Sequence, residues 1–208
     1  MTDYSQNGES KILHNIFEKI GVNSKYAVEF GAGDGYWLSN IRMFLDMGWS
    51  GLQMEGISNP QGNVKNEFIT KDNINFLLKK YEVPENLDLL SIDIDGNDYW
   101  VWKELTYKPS VVIIEYNSNF SHEESVALEY DENHVWDETY AYSASLTCLK
   151  NLGEEKGYYL YAETDFTNLI FVDNKYINVL PSVFDANNVK LPHNVHIQKL
   201  NNKKFINI

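Results

Sequence analysis

The sequence predicts an α/β fold: a doubly wound, mostly parallel seven-stranded sheet that ends in an antiparallel hairpin. Three observations predict it. Short apolar runs alternate with stretches whose apolar residues recur at helical spacing, the pattern of strands crossed over by helices. A turn carrying Gly31, Gly33 and Gly35 follows the first of those runs directly. Near the end, two strand-like runs stand only about five residues apart, enough for a hairpin and too few for a parallel crossover.

Each element follows from its own pattern. Residues 10–20 place Ile12, Leu13, Ile16, Phe17 and Ile20 on one helical face, with Gly21 just past the end. Residues 25–30 read as a strand running into the glycine turn. Residues 36–47, with Leu38, Ile41, Phe44 and Leu45 at helical spacing, predict a helix stopping at Gly48. A strand is expected over 51–55, a short one over 67–70 and a helix over 73–81. Residues 87–94 are too continuously apolar for a surface strand and suit a central strand covered on both faces. A short helix over 99–105 and a buried strand over 111–114 follow. Residues 141–152 align Leu146, Leu149 and Leu152, and Gly153 is expected to end that helix. The hairpin runs over 158–163 and 168–172, turning around 164–167. We expect one domain over 1–173, with 1–24 as a helical lead-in. The Asn/Lys-rich stretch 174–208 reads as an extension that wraps the surface or mediates assembly into a homo-oligomer.

Composition narrows the function classes. The 208 residues are 43% hydrophobic and 14% aromatic, a globular balance with length enough for a real core. Net charge is −13, from 17 Lys+Arg against 30 Asp+Glu. Nucleic-acid binding draws its affinity from basic residues neutralising phosphates, and no basic stripe is visible, so such a partner is disfavoured. Apolar runs such as 52–54 and 111–114 are far too short to span a bilayer. The opening MTDYSQNGES lacks the layout of a secretory signal, so the expected address is the cytoplasm. The single Cys148 makes no internal disulfide and no metal cluster by itself.

The densest chemistry begins at Glu29-Phe30-Gly31-Ala32-Gly33-Asp34-Gly35. Glycines at alternate positions after a buried strand let the backbone turn sharply and approach a ligand without side-chain interference. The spacing differs from the dinucleotide fingerprint G-x-G-x-x-G, which sets a helix terminus against a diphosphate. An acid at the strand end, Glu29, suits a cationic ligand carrying an ammonium and a sulfonium. Glu55 closes the next strand, where its carboxylate can accept both hydrogen bonds of a ribose diol. Asp72 and Asn73 follow the third strand, where an adenine amine would lie, although Asn73 serves equally as a helix cap.

A second cluster holds Asp93, Asp95 and Asp98 behind an apolar strand. Open α/β sheets place ligands at such strand ends, and carboxylates this close repel one another unless a cation or shared proton compensates. The alternative is a turn rich in Asp, Gly and Asn because those residues suit turns. Asp93, Glu115 and Asn117 are expected to converge from neighbouring strands. Their hard oxygens suit magnesium, manganese or calcium, or bond substrate hydroxyls directly. For a general base the candidates are His122 and His134, with His134 preferred and Asp95 or Asp98 as carboxylate alternatives.

Read in order, these segments resemble the FkbM-type methyltransferases, a class I family. The resemblance rests on Asp93, Asp95, Gly96 and Asp98, on the aliphatic strand ending in Glu115, and on the closing hairpin with Gly157-Tyr158 and Asn168. The opening Tyr4-Ser5-Gln6-Asn7-Gly8-Glu9 is similar to a segment preceding the donor site in related proteins. The resemblance covers roughly residues 4–173. Two departures stand out: a lysine often precedes the first Asp of the signature, whereas here Ser91 stands two before Asp93, and Asp95 replaces the commoner Glu. The family implies S-adenosylmethionine as methyl donor, held by Gln6, Glu9, Glu29, Gly31, Gly33, Gly35, Glu55, Asp72, Asn73 and Asp93. It also implies O-methylation of a small hydroxylated acceptor. The expected acceptor is a sugar or nucleotide-linked sugar of surface polysaccharide, with a divalent cation as an optional helper. The competing readings are a catalytically silent donor-binding scaffold and a nicotinamide-dependent oxidoreductase; the glycine spacing and terminal hairpin argue against the latter.

Overall fold

The computed structural model describes residues 2–56, 62–185 and 204–208. The sheet contains β1 (Tyr26–Phe30), β2 (Ser50–Glu55), β3 (Lys65–Asn66), β4 (Leu89–Ile92), β5 (Val111–Glu115), β7 (Tyr158–Thr164) and β8 (Asn168–Asp173), in the order β3-β2-β1-β4-β5-β8-β7. All neighbours are parallel except β5 with β8 and β7 with β8. This is the doubly wound, mostly parallel seven-stranded sheet with a closing antiparallel hairpin expected from the sequence.

Helices α1 (Glu9–Ile20), α2 (Arg42–Asp46), α3 (Ile74–Lys80), α4 (Asp98–Glu104) and α5 (Leu146–Glu155) cover the two faces. One face buries Leu13, Ile16 and Phe17 of α1 with Phe44 of α2. The other buries Leu77 and Leu78 of α3, Trp102 of α4 and Leu149 of α5. Strand β4 is buried along its whole length, as its continuous apolar run requires. Among the described residues, no helix is long and apolar enough to cross a membrane.

Three elements differ from expectation, each for a local reason. The helix expected over 36–47 survives only as α2. Upstream, the Asp34 carboxylate accepts the N–H groups of Tyr36 (2.9 Å) and Trp37 (2.8 Å), and Leu38 adopts φ 60°. These side-chain bonds offer the backbone an alternative to helical hydrogen bonding. The strand expected over 67–70 is β3, displaced upstream to Lys65–Asn66. Beyond it the Thr70 N–H donates to Asn73 Oδ1 (2.9 Å), turning the chain toward α3. The helix expected over 141–152 starts only after Ser145, whose Oγ accepts the Cys148 N–H. It also runs through Gly153, which the sequence reading made its stop. Gly153 is a packing glycine: a Cβ there would lie 2.6 Å from Phe171 Cε1 and 3.2 Å from Trp102 Cη2.

The long connection between β5 and α5 carries an unforeseen strand, β6 (Val126–Leu128), which pairs antiparallel with β9 (Phe205–Asn207). Part of the expected extension, residues 186–203, lies outside the described residues. Residues 204–208 return to the domain, where Phe205 meets Phe120 edge to face, with ring centroids 4.6 Å apart.

Candidate active site

Strands β1 and β4 are neighbours, but the chain leaves β1 toward β2 and β4 toward β5. Such a switch point opens a crevice at the carboxyl ends of the strands. Here it brings the 31–35 turn against the 93–98 turn. Gly31, at φ 70°, sits so close that a Cβ would lie 1.5 Å from the Asp93 carbonyl oxygen. No side chain fits there, which is why the turn needs glycine.

Hydrogen bonds brace the turn from both sides. Glu29 is buried, and its carboxylate accepts from Ser39 Oγ (2.6 Å), the Asn40 N–H (2.7 Å) and Gln53 Nε2 (2.9 Å). Burial pushes its pKa up, and these donors oppose the shift. Glu55 Oε2 accepts the Gly33 N–H at 3.0 Å. The second turn is braced by Asp98, fully buried, which accepts the N–H groups of Ile94 (2.8 Å) and Gly96 (2.9 Å). Burial raises Asp98 to about 6 despite those bonds.

The crevice holds three connected spaces. A cleft of about 590 Å³ is lined by Gln6, Glu29, Gly31, Gly33, Glu55 and Asp93, with Trp37 and Trp136 at its rim. A smaller slot shares Gly31, Glu55 and Asp93 and is also lined by Phe68, Ile69, Ile94, Asn97 and His134. A cavity of about 600 Å³ lies on the other side, lined by Asp95, Glu115, Trp136, Glu138, Thr139, Tyr140 and Tyr142. Asp95 lines all three. Among the described residues lining these spaces there is no Lys or Arg.

Carboxylate oxygens of Asp93, Asp95 and Glu115 all lie within 4.8 Å of one another. Burial first, then the neighbouring acids, raises Asp93 and Glu115 well above the usual carboxylate range. Burial and then Glu55 raise Asp95. Glu115 Oε2 is buried with no hydrogen-bond partner among the described residues. A positive or hydrogen-bearing group placed here would relieve both the repulsion and that unmet acceptor.

No family model matches the chain, and no curated protein does. Among solved structures, the N-terminal domain of EvdMO1 with SAH bound is similar over 81% of this chain and 82% of its own, with 12% identity and a TM-score of 0.49. An S-adenosylmethionine-dependent methyltransferase from Clostridium acetobutylicum ATCC 824 is similar over 83% and 92%, with 10% identity and a TM-score of 0.47. Magnesium protoporphyrin IX methyltransferase from Synechocystis PCC 6803 is similar over 79% and 81%, with 10% identity and a TM-score of 0.45.

The structure thus gathers Gln6, Glu29, Gly31, Gly33, Glu55, Asp93, Asp95, Glu115 and His134 around one crevice. Other residues singled out in the sequence stand elsewhere. Glu9 is fully buried, where Oε1 accepts from Thr164 Oγ1 (2.9 Å) and Asn168 Nδ2 (3.1 Å), stapling α1 to the hairpin. Gly35 turns away toward Gln53 and Val64. Asp72 is exposed, and Tyr130 donates to it at 3.4 Å. Asn73 holds the turn before α3. Asn117 does not join the acid cluster; its amide donates to the Tyr140 and Tyr142 carbonyls, and Asp95 takes the place expected of it. His134 packs its ring on Gly96, and Nε2 donates to the Asp95 carbonyl at 3.0 Å. A carbonyl only accepts, so that nitrogen carries the proton and is no base. The sequence reading missed Trp37, Phe68, Asn97, Trp136, Tyr140 and Tyr142. Trp37, Phe68 and Tyr142 fell in segments expected to be helix or strand, and Trp136 and Tyr140 in a stretch with no periodic pattern, where an aromatic side chain was the one signal.

Proposed function

We propose that this chain is an S-adenosylmethionine-dependent O-methyltransferase acting on a small hydroxylated acceptor, a sugar by preference. One observation carries the reading. At the switch point, a side-chain-free glycine turn faces Glu55 across a cleft whose described lining is acidic and holds no Lys or Arg. A diphosphate cofactor would meet several carboxylates and no cationic side chain among the described lining residues, whereas a sulfonium and an ammonium are complemented.

In this reading Glu55 accepts from the ribose diol. The slot between Phe68, Ile69 and Ile94 receives the adenine, and Gln6, Glu29 and Asp93 face the amino-acid end. The acceptor enters the cavity beyond Asp95. Bound in the cleft, the donor would supply a methyl group whose departing electron pair goes to sulfur, while this chain's residues would orient the acceptor oxygen and take its proton. The chain's main contribution is alignment. Asp95 is our choice of base, since it alone borders donor cleft, slot and acceptor cavity. Asp98 is bound to backbone N–H groups behind it.

Titration calorimetry tests the donor. We expect S-adenosylmethionine and its demethylated product SAH to bind and NAD to give no heat. Tight NAD binding with no response to either sulfur ligand overturns the proposal.

A second reading has the Asp93, Asp95 and Glu115 oxygens hold a divalent cation that acidifies the acceptor hydroxyl. The unpartnered Glu115 Oε2 favours it. Under it, methyl transfer stops in chelator and returns with magnesium or manganese; full turnover in chelator eliminates it.

A further inference from the structure

The cavity beyond Asp95 has a chemistry of its own. Its walls combine three aromatic side chains, Trp136, Tyr140 and Tyr142, with three carboxylates, Asp95, Glu115 and Glu138. Trp136 and Tyr140 are 42% and 36% exposed, so ring surface stands open to whatever enters. Glu138 lines this space from a left-handed backbone, φ 61°. Aromatic faces carry negative potential and attract cations, and a carboxylate beside them adds to the same preference. The buried, unpartnered Glu115 Oε2 calls for a hydrogen donor from the occupant. An anionic group would face three carboxylates with no Lys or Arg among the described lining residues.

Resting on the methyltransferase reading above, we propose that the acceptor is an amine-bearing polyol, such as an amino sugar. Its ammonium lodges among Glu138 and the rings while one hydroxyl reaches Asp95. This narrows the acceptor class and sets aside nucleotide-linked and other phosphorylated sugars. It also accounts for the acidity of the whole crevice. A cationic sulfonium and a cationic acceptor meet in one space, and their mutual repulsion is offset only by carboxylates on both sides of the methyl group.

The experiment loads the full chain with SAH and titrates it by calorimetry with glucosamine, glucose and glucuronate in turn. Glucosamine is expected to bind at least about tenfold more tightly than glucose, the scale of a desolvated cation–π contact, and glucuronate not to bind. Glu138→Gln should bring glucosamine close to glucose while SAH affinity holds, which also shows that the variant is folded. Equal binding of the three sugars, tighter binding of glucuronate, no binding of glucosamine, or an unchanged preference in Glu138→Gln overturns the proposal. Failure of SAH itself to bind overturns instead the reading on which it rests.

Discussion

Asp95→Asn is expected to lower methyl-transfer turnover by about 10²- to 10⁴-fold, the range that general base catalysis supplies. SAH affinity should stay within a few-fold of the parent. The replacement keeps the side chain's size and one acceptor oxygen, and removes the charge and the capacity to take a proton. His134→Ala serves as the discriminating partner. His134 lines the slot proposed for the adenine and donates Nε2–H to the Asp95 carbonyl, so its loss should weaken donor binding and disturb turnover less. The measurements are single-turnover rates at saturating donor and calorimetric SAH affinities for both variants. If Asp95→Asn turns over normally and His134→Ala does not, the proton leaves through the imidazole. If neither variant slows, the base lies outside this pair.

The sheet was legible because its signals are local and strong. Buried parallel strands carry unbroken apolar runs, as in β4 and β5, and glycine turns announce themselves by composition. The wall of the cleft formed by Gly31, Gly33 and Glu55 was legible for the same reason, since these residues follow directly from strand ends. Element boundaries were read less well where side chains compete for backbone hydrogen bonds, as Asp34 does before α2 and Asn73 before α3. The cavity beyond Asp95 was hardly legible. Trp136, Glu138 and Tyr140 lie in a stretch with no period and Tyr142 in a segment expected to be helical, and the chain here is held by Asn117, whose amide donates to the Tyr140 and Tyr142 carbonyls. Nothing in spacing predicts a contact over such separations. Asn117 misled for a related reason: amides and carboxylates look alike as oxygen ligands, and only the fold reveals that this amide is occupied with loop carbonyls.

Gly33→Val is expected to leave the fold intact and to weaken SAH binding by at least about a hundredfold, because it builds a clash into the space the donor needs. The two neighbouring glycines serve different ends. A Cβ at Gly31 would overlap the Asp93 carbonyl at 1.5 Å, so Gly31→Ala should separate the two turns and cost the fold itself. Gly33 has φ 52° but open space where a Cβ would stand, and it lines the cleft proposed for the donor. A side chain in left-handed backbone costs about 1–2 kcal/mol, which a domain of ordinary stability tolerates. The branched methyls of valine would then occupy the cleft, while the Gly33 N–H can still reach Glu55 Oε2. Urea denaturation should show a midpoint only modestly lowered for Gly33→Val and a much larger loss for Gly31→Ala. Calorimetry on folded Gly33→Val then isolates the effect on binding. SAH affinity equal to the parent's in that variant would mean that the donor does not approach the backbone at Gly33, and the cleft would have to be assigned to some other ligand.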